Sequence, residues 1–577
     1  MEKLKRNGSI IVIFAVFSAI VLLPQLNQHA LILGGDSSFH LNRFYDAMMQ
    51  IKRGDYQYFI SLDGFFQSGR VVNALYGPYL AYFNGWLLLI TGSWFKYQLV
   101  SDWLVNLLAA LSMYYLLRTN RVRKNYSVWL ALFFVTTYCI STWTLNQQFL
   151  AWGTALMPLG IAAATRMIRQ PKEPVKVLEL TLAVTAMMQT HVLSTLFLVV
   201  ILAIFFVIAW FKTNKRVDLV KKVMWSALLT LLLTSNVWGA MLELYSSNHL
   251  LAPFKNTIPL SNGIVNFTAD GSQMSLWMAL LVTCQVALSL FNWQRWTLLN
   301  KTVTIVGGSL LIASTSLLPW DTLFKWIPGL SMLQFPYRLL GPASILLLLG
   351  LGLSLTMLAD THEPAPNRID GKRLALAIVT LLSTLTLLAD VQKSAENWGS
   401  DHVLKSRFNM VQRLSGQALR DKFTSPDFGQ ALIYTYKPTP DYLPMQTSGS
   451  ATSQAYLNYQ QEIAENRHFK KRVHQGKLIV TWYSQNAKLT TVSVVKYHHT
   501  KLWLNGKKLT SKDYRLSPIG AVKVQAQPGF NQLELAYQPG KLFNGLMVVN
   551  LFAWLGMAIF LAYTLVQRYR RQYANSR

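Results

Sequence analysis

The residues best suited to chemistry in this chain lie between Gly34 and His40, in the stretch GGDSSFH. Asp36 and His40 are four residues apart, so a helix starting at Ser37 brings both to one face of its first turn. A carboxylate and an imidazole at a lipid–water boundary suit a reaction between a lipid-linked phosphate and a hydroxyl. Asp36 can equally cap the helix that Ser37 begins, and the two uses are compatible. Segment 37–53 puts Phe39, Phe44, Ala47, Met48 and Ile51 on one side, the pattern of a helix lying on a membrane surface.

Possible partners lie far along the chain. His191, in Gln189-Thr190-His191, falls at the turn of a helical hairpin. It reads either as a turn residue with satisfied hydrogen bonds or as a phosphate or hydroxyl contact. Arg338, in LQFPYRLLGP, falls in the first turn after Pro336. Free N–H groups and a guanidinium there make an anion site, although an arginine snorkelling to the interface leaves the same sequence. Arg43 and Arg70 share the expected side, as do Asp46, Asp55, Asp63, Glu243, His249 and Asp321. The run from Gly69-Arg70 through Tyr76 to Pro78 stands out, because polar sequence stops abruptly there.

The sequence has no P-loop, GxGxxG, HExxH, CxxC or GxSxG motif. Cys139 and Cys284 both fall in apolar runs and imply neither a disulfide framework nor a metal site. No cofactor is assigned, and a divalent metal is left open.

These residues need a membrane scaffold. Of 577 residues, 52% are hydrophobic and 14% charged, against roughly 25% charged in a soluble domain. With repeated apolar runs, this indicates a polytopic α-helical membrane protein. The net charge of +29 collects in short loops such as RTNRVRK (118–124) and KTNKRVDLVKK (212–222). That is positive-inside patterning, so the charge is read mostly as orientation, with no nucleic-acid partner.

About twelve spans are expected, at 9–23, 97–117, 127–143, 150–168, 175–188, 195–211, 223–244, 275–291, 302–318, 338–358, 374–390 and 543–566. Residues 175–211 are too long for one crossing and must fold back at 189–191. Segment 76–92 is apolar enough to cross, but a crossing there would put the basic loops outside, so it is read as an interfacial helix. Both termini then lie in the cytoplasm, as does the basic loop 361–373. The resulting division is 1–390 membrane domain with a first outer loop 30–96, then 391–542 extracellular, then 543–577 as last helix and basic tail. Segment 391–542 begins with helical spacing and continues with strand-like runs at 478–483, 491–498, 501–504, 521–526 and 532–537. Asn505-Gly506 marks a hairpin turn, and the segment reads as β-rich.

Several stretches, in order, carry a resemblance: GGDSSFHLNRFYDAMMQIKRGDY, GRVVNALYGPYLAY, MMQTHVLSTLF, IPGLSMLQFPYRLLGPA, Asp441-Tyr442-Leu443-Pro444, and WLNGKKL followed by PGFNQLELAYQPG. Together they run nearly end to end. The chain resembles the GT-C superfamily of membrane glycosyltransferases. More narrowly it is similar to the YfhO-like proteins, often labelled 6-pyruvoyl-tetrahydropterin synthase-related membrane proteins, although nothing in it looks like a pterin enzyme. The resemblance implies a polyprenyl-phosphate-linked sugar donor in the lipid, Asp36 as catalytic base with His40 beside it, and a cell-surface polymer acceptor such as a teichoic acid. It implies that His191 and Arg338 line the pocket, with Arg43, Arg70 and Tyr76 as further substrate contacts. By the same resemblance, relatives often carry an Arg and a Glu just before and at the start of the fourth span, where this chain reads NQQFLAWG (146–153). A lipid or polysaccharide transporter or flippase, and a catalytically silent envelope assembly protein, are the alternatives.

Overall fold

The computed structural model describes residues 2–256, 258–265, 273–360, 370–405, 410–446 and 452–574. Of the expected basic loop at 361–373, residues 361–369 lie outside these. Each of the twelve expected spans falls on helix. Among the described residues, seven helices are long and apolar enough to cross a membrane, or eight if the pair Arg216–Leu233 and Ser235–Ser247, bent by 66°, is one span. By helix length and hydropathy this is a multi-pass membrane protein.

The count of seven or eight, against about twelve expected, has local causes. Val177–Thr190 and Leu298–Ala313 are apolar but short, as is the apolar part, Gly8–Ile20, of the helix Glu2–Ile20, and at 1.5 Å per residue none of these apolar stretches spans the roughly 30 Å of a hydrocarbon core. Leu150–Arg169 has the length but carries Arg166 and Arg169 in its last turn. The fold-back at 189–191 is present. His191 alone is extended between helices Val177–Thr190 and Val192–Lys212. The Thr213 hydroxyl donates to the Pro171 carbonyl at 2.8 Å, so the far ends of the two helices meet.

The helix Ser37–Arg53 corrects the surface-helix expectation. It is buried around most of its circumference, including Ser38, Asn42, Arg43, Asp46 and Gln50, and it packs on the 14-residue helix Pro78–Thr91. An amphipathic pattern fits a helix wedged between two protein layers as well as one lying on lipid.

Eight strands form the β-rich region: β1 Lys470–His474, β2 Lys477–Ser484, β3 Lys488–Val495, β4 Thr500–Leu504, β5 Lys507–Lys508, β6 Tyr514–Leu516, β7 Ala521–Ala526 and β8 Gly529–Tyr537. One sheet runs β5-β4-β8-β2-β1 and the other β6-β7-β3, with every pairing antiparallel. Asn505 and Gly506, both at positive φ, turn β4 into β5, as a two-residue hairpin requires. The core of this region is composite. Phe59, Ile60, Leu62, Val71 and Leu75 pack with Leu478, Val480, Val492 and Leu535. The Tyr497 hydroxyl accepts from the Val71 N–H at 3.1 Å. Residues 59–75 therefore join the helical body to the sheets.

Candidate active site

Gly34 fixes the approach to Asp36. A Cβ on Gly34 would lie 2.2 Å from the Asn146 Cα, so only glycine fits. The Gly34 N–H donates to Gln147 Oε1 at 2.8 Å, and the Asp36 N–H donates to the Asn146 carbonyl at 3.1 Å. Asn146-Gln147 thus anchors the loop that presents Asp36.

Asp36 is the N-cap residue of Ser37–Arg53, but its side chain makes no capping bond. Lys437 Nζ donates to Asp36 Oδ1 at 2.6 Å. Burial lowers the Lys437 pKa, but the adjacent Asp36 charge and hydrogen bond outweigh it, and the net direction is up. Lys437 also lies near Asp441. The Asp441 Oδ1 is buried without a hydrogen-bond partner, and burial raises this carboxyl against the pull of Arg70 and Lys437.

His40 turns away from Asp36 into an aromatic layer, and the two do not form a pair. Its ring stacks on Phe149 at 5.0 Å and meets Trp143 and Tyr76 at 6.1 and 6.4 Å. Arg43 Nη1 lies 3.1 Å from His40 Nδ1. A guanidinium only donates, so Nδ1 accepts and the neutral ring carries its proton on Nε2. Burial, then Arg43, Lys437 and His191, push the His40 pKa well down. This keeps the ring neutral.

Arg43 is fully buried. Its guanidinium carbon sits 4.7 Å from the Tyr76 ring and 4.6 Å from Phe149, a cation between two π faces. Nε donates to Asn73 Oδ1 at 2.9 Å, while Nη2 has no hydrogen-bond partner. Among the described residues no carboxylate forms a salt bridge with it. Burial lowers its pKa to about 10. A buried cation without a counter-ion is costly unless an anion comes to it.

Tyr76 meets Tyr442 edge-on at 5.9 Å. Gly77, at φ 75°, sits where a Cβ would be 2.2 Å from the Gln189 carbonyl oxygen. That contact brings the Tyr76 loop against the His191 hairpin. His191 is the N-cap of Val192–Lys212, its Nδ1 accepting from the Ser194 N–H at 3.2 Å, which is the turn-residue use. Its ring also lies 6.3 Å from Phe149. Burial, then Arg338 and Arg43, lower its pKa to about 3.

Arg338 sits in a 3₁₀ turn, Pro336–Leu339, at the head of the following helix. Its Nη1 donates to the Leu333 carbonyl at 3.0 Å, and the guanidinium lies over Phe335. It is a half-buried cation at the edge of the layer. Arg70 is fully buried over Phe65 and Tyr459, and its Nη2 donates to the Asp441 carbonyl at 2.7 Å.

The seven residues singled out from sequence thus share one neighbourhood. His40, Arg43 and His191 gather around Phe149, and Tyr76 lies across Arg43. Asp36 lies beside them through Lys437, Arg70 through Asp441, and Arg338 through its charge on His191. Sequence reasoning missed Lys437 and Phe149 and gave Asp441 and Tyr442 no role. Lys437 carries no local signal, whereas Asp441-Tyr442 was visible as part of a motif. Among the described residues, no three His, Cys, Asp or Glu gather to hold a metal ion.

No protein-family model matches this chain, and no curated protein sequence matches it.

Proposed function

We propose that this protein is a membrane glycosyltransferase of GT-C type, moving a sugar from a polyprenyl phosphate to a hydroxyl of a cell-surface acceptor. The observation that carries the reading is a partly exposed acid, Asp36, beside the fully buried Arg43, which forms no salt bridge with a carboxylate among the described residues. In this reading all twelve helical segments cross or complete the membrane bundle. Both termini are cytoplasmic, and the β-rich region and Asp36 are outside.

The acceptor oxygen attacks the anomeric carbon, and a new glycosidic C–O bond forms. The bond from that carbon to the phosphate oxygen breaks, and its electron pair leaves with the polyprenyl phosphate. Asp36 takes the hydroxyl proton, help of a kind that contributes about 10²–10⁴-fold. Lys437, drawn from Asp36 to the phosphate, frees the carboxylate and balances the departing charge, with Arg43 and Arg338 behind it. His40, neutral and bonded to Arg43, positions that guanidinium.

The test compares envelope polymers by mass spectrometry from cells carrying the wild-type chain, Asp36→Asn or no copy. The reading expects glycosylation lost equally in the last two, with the Asn variant made at normal level. Unchanged glycosylation in Asp36→Asn cells removes Asp36 as the base.

A further inference from the structure

The positive charge of the chain is not confined to loops between spans. Residues 470–537 hold twelve Lys and Arg against two acids, Asp513 and Glu534. The positive-inside rule counts short loops and leaves a folded region of this kind unexplained.

Register and burial show where the charge lies. In β2, Leu478, Val480 and Trp482 point into the region's core, and in β8 Leu533, Leu535 and Tyr537 do the same. Their alternates face outward. Lys470 pairs with Thr481, Arg472 with Ile479, Lys501 with Ala536, and Lys508 with Trp503. All four cations therefore stand on one face of the five-stranded sheet. The single acid there, Glu534, is taken by Lys477 at 3.0 Å.

The same face carries aromatic rings. Phe530 and Tyr483 are direct cross-strand partners, 66% and 76% exposed. Side by side they form an exposed apolar strip. Trp503 lies further along, its ring 4.7 Å from Lys477 Nζ. The Phe530–Tyr483 strip is about 23 Å along β8 from Tyr537, where the chain turns into the last helix. That distance argues against a strip that dips into the bilayer. The rings adjoin each other instead of alternating with cations, unlike a platform on which successive bases stack.

We infer that this face of the five-stranded sheet binds an anionic glycan, a polymer of sugar rings bearing phosphate, sulfate or carboxylate groups. The cations meet the charges and the aromatic strip meets the ring faces. The inference stands independently of sugar transfer; if both hold, the acceptor chain lies here.

The test uses the full chain in nanodiscs, with Trp fluorescence as the readout and dextran sulfate, neutral dextran and inorganic polyphosphate as probes. Wild type is expected to bind dextran sulfate, with log affinity falling linearly in log salt, and to ignore neutral dextran. The quadruple variant Lys470→Gln/Arg472→Gln/Lys501→Gln/Lys508→Gln is expected to bind at least about tenfold more weakly with a flatter salt slope. Tyr483→Ala/Phe530→Ala is expected to lose about tenfold on dextran sulfate and nothing on polyphosphate. All changes are on exposed or half-exposed side chains, and unfolding curves check that each variant folds. If the quadruple variant does not fold, Arg472→Gln alone and the wild-type salt slope replace it. Wild-type binding by both variants overturns the inference. So does tighter binding of phosphatidylglycerol vesicles or of a single-stranded DNA oligonucleotide than of dextran sulfate. Because no transfer is assayed, the result is separate from the fate of the glycosyltransferase reading.

Discussion

Asp36 and Lys437 are 401 residues apart and joined by a 2.6 Å ion pair. Asp36 opens the first long buried helix, and Lys437 follows the two-residue strand Thr435–Tyr436. The pair ties the helical body to the segment leading into the β-rich region. It also leaves the acid partly open, with side-chain exposures of 36% for Asp36 and 20% for Lys437.

If Lys437 hands over to a phosphate during turnover, Lys437→Met lowers sugar transfer by about tenfold or more, chiefly through KM for the donor. Such a pair contributes no more than about 1 kcal/mol to folding, so the thermal midpoint hardly moves. Lys437→Arg retains a cation and is expected to recover most of the loss. Equal defects in the Met and Arg variants would sink the handover.

Arg43→Met separates structure from function. Replacing a buried unpaired cation by an apolar side chain of similar volume is often neutral or stabilising. The variant is therefore expected to melt within a few degrees of wild type while losing transfer. A large drop in melting temperature together with normal specific activity would assign Arg43 to packing alone.

Gly34→Ala is expected to be severe. Its Cβ meets Asn146 backbone at 2.2 Å, and neither the Gly34 loop nor the end of the helix Tyr138–Asn146 can yield cheaply. The expected loss is about 3 kcal/mol or more, at the upper end of the usual range for single substitutions or beyond it. Size-exclusion chromatography with fluorescence detection reads the fraction folded; a wild-type profile contradicts the close contact.

Asp46 gives a pH signature. It is buried, and its Oδ1 accepts from the Asp63 and Gly64 N–H groups at 2.9 and 3.3 Å. Burial, then Asp63, raise its carboxyl to about 6 from 3.8. The folded state holds this proton more tightly than the unfolded state does. Its contribution is therefore full below pH 4 and is lost as pH rises through 6, roughly 3 kcal/mol in all. Asp46→Asn removes that slope between pH 4 and 6. An unchanged slope in Asp46→Asn means another group is responsible.

The helical segments, the fold-back at His191 and the strands of the β-rich region were legible because each rests on a local period. Apolar runs mark helices, alternation marks strands, and Asn505-Gly506 marks a turn by its backbone preference. Segment 37–53 shows the limit. Its periodicity marks a helix, but one apolar side does not reveal what covers the other, and here protein covers both. Of the twelve expected spans, seven or eight have the length and hydropathy of a crossing among the described residues, and the rest are short or basic-ended helices, because periodicity marks a helix without fixing its ends.

The sequence by itself determined a multi-pass helical body, a C-terminal β-rich region, and a set of acids, imidazoles and guanidiniums worth watching. Only the tertiary structure decided what those groups touch. It turned the Asp36 carboxylate to Lys437 and away from its own helix, buried His40 under Arg43, and used His191 as a helix cap. It also gathered dispersed lysines and arginines onto one sheet face. Periodicity reports neighbours within a few residues, whereas charge pairing and burial depend on distance in space between segments hundreds of residues apart.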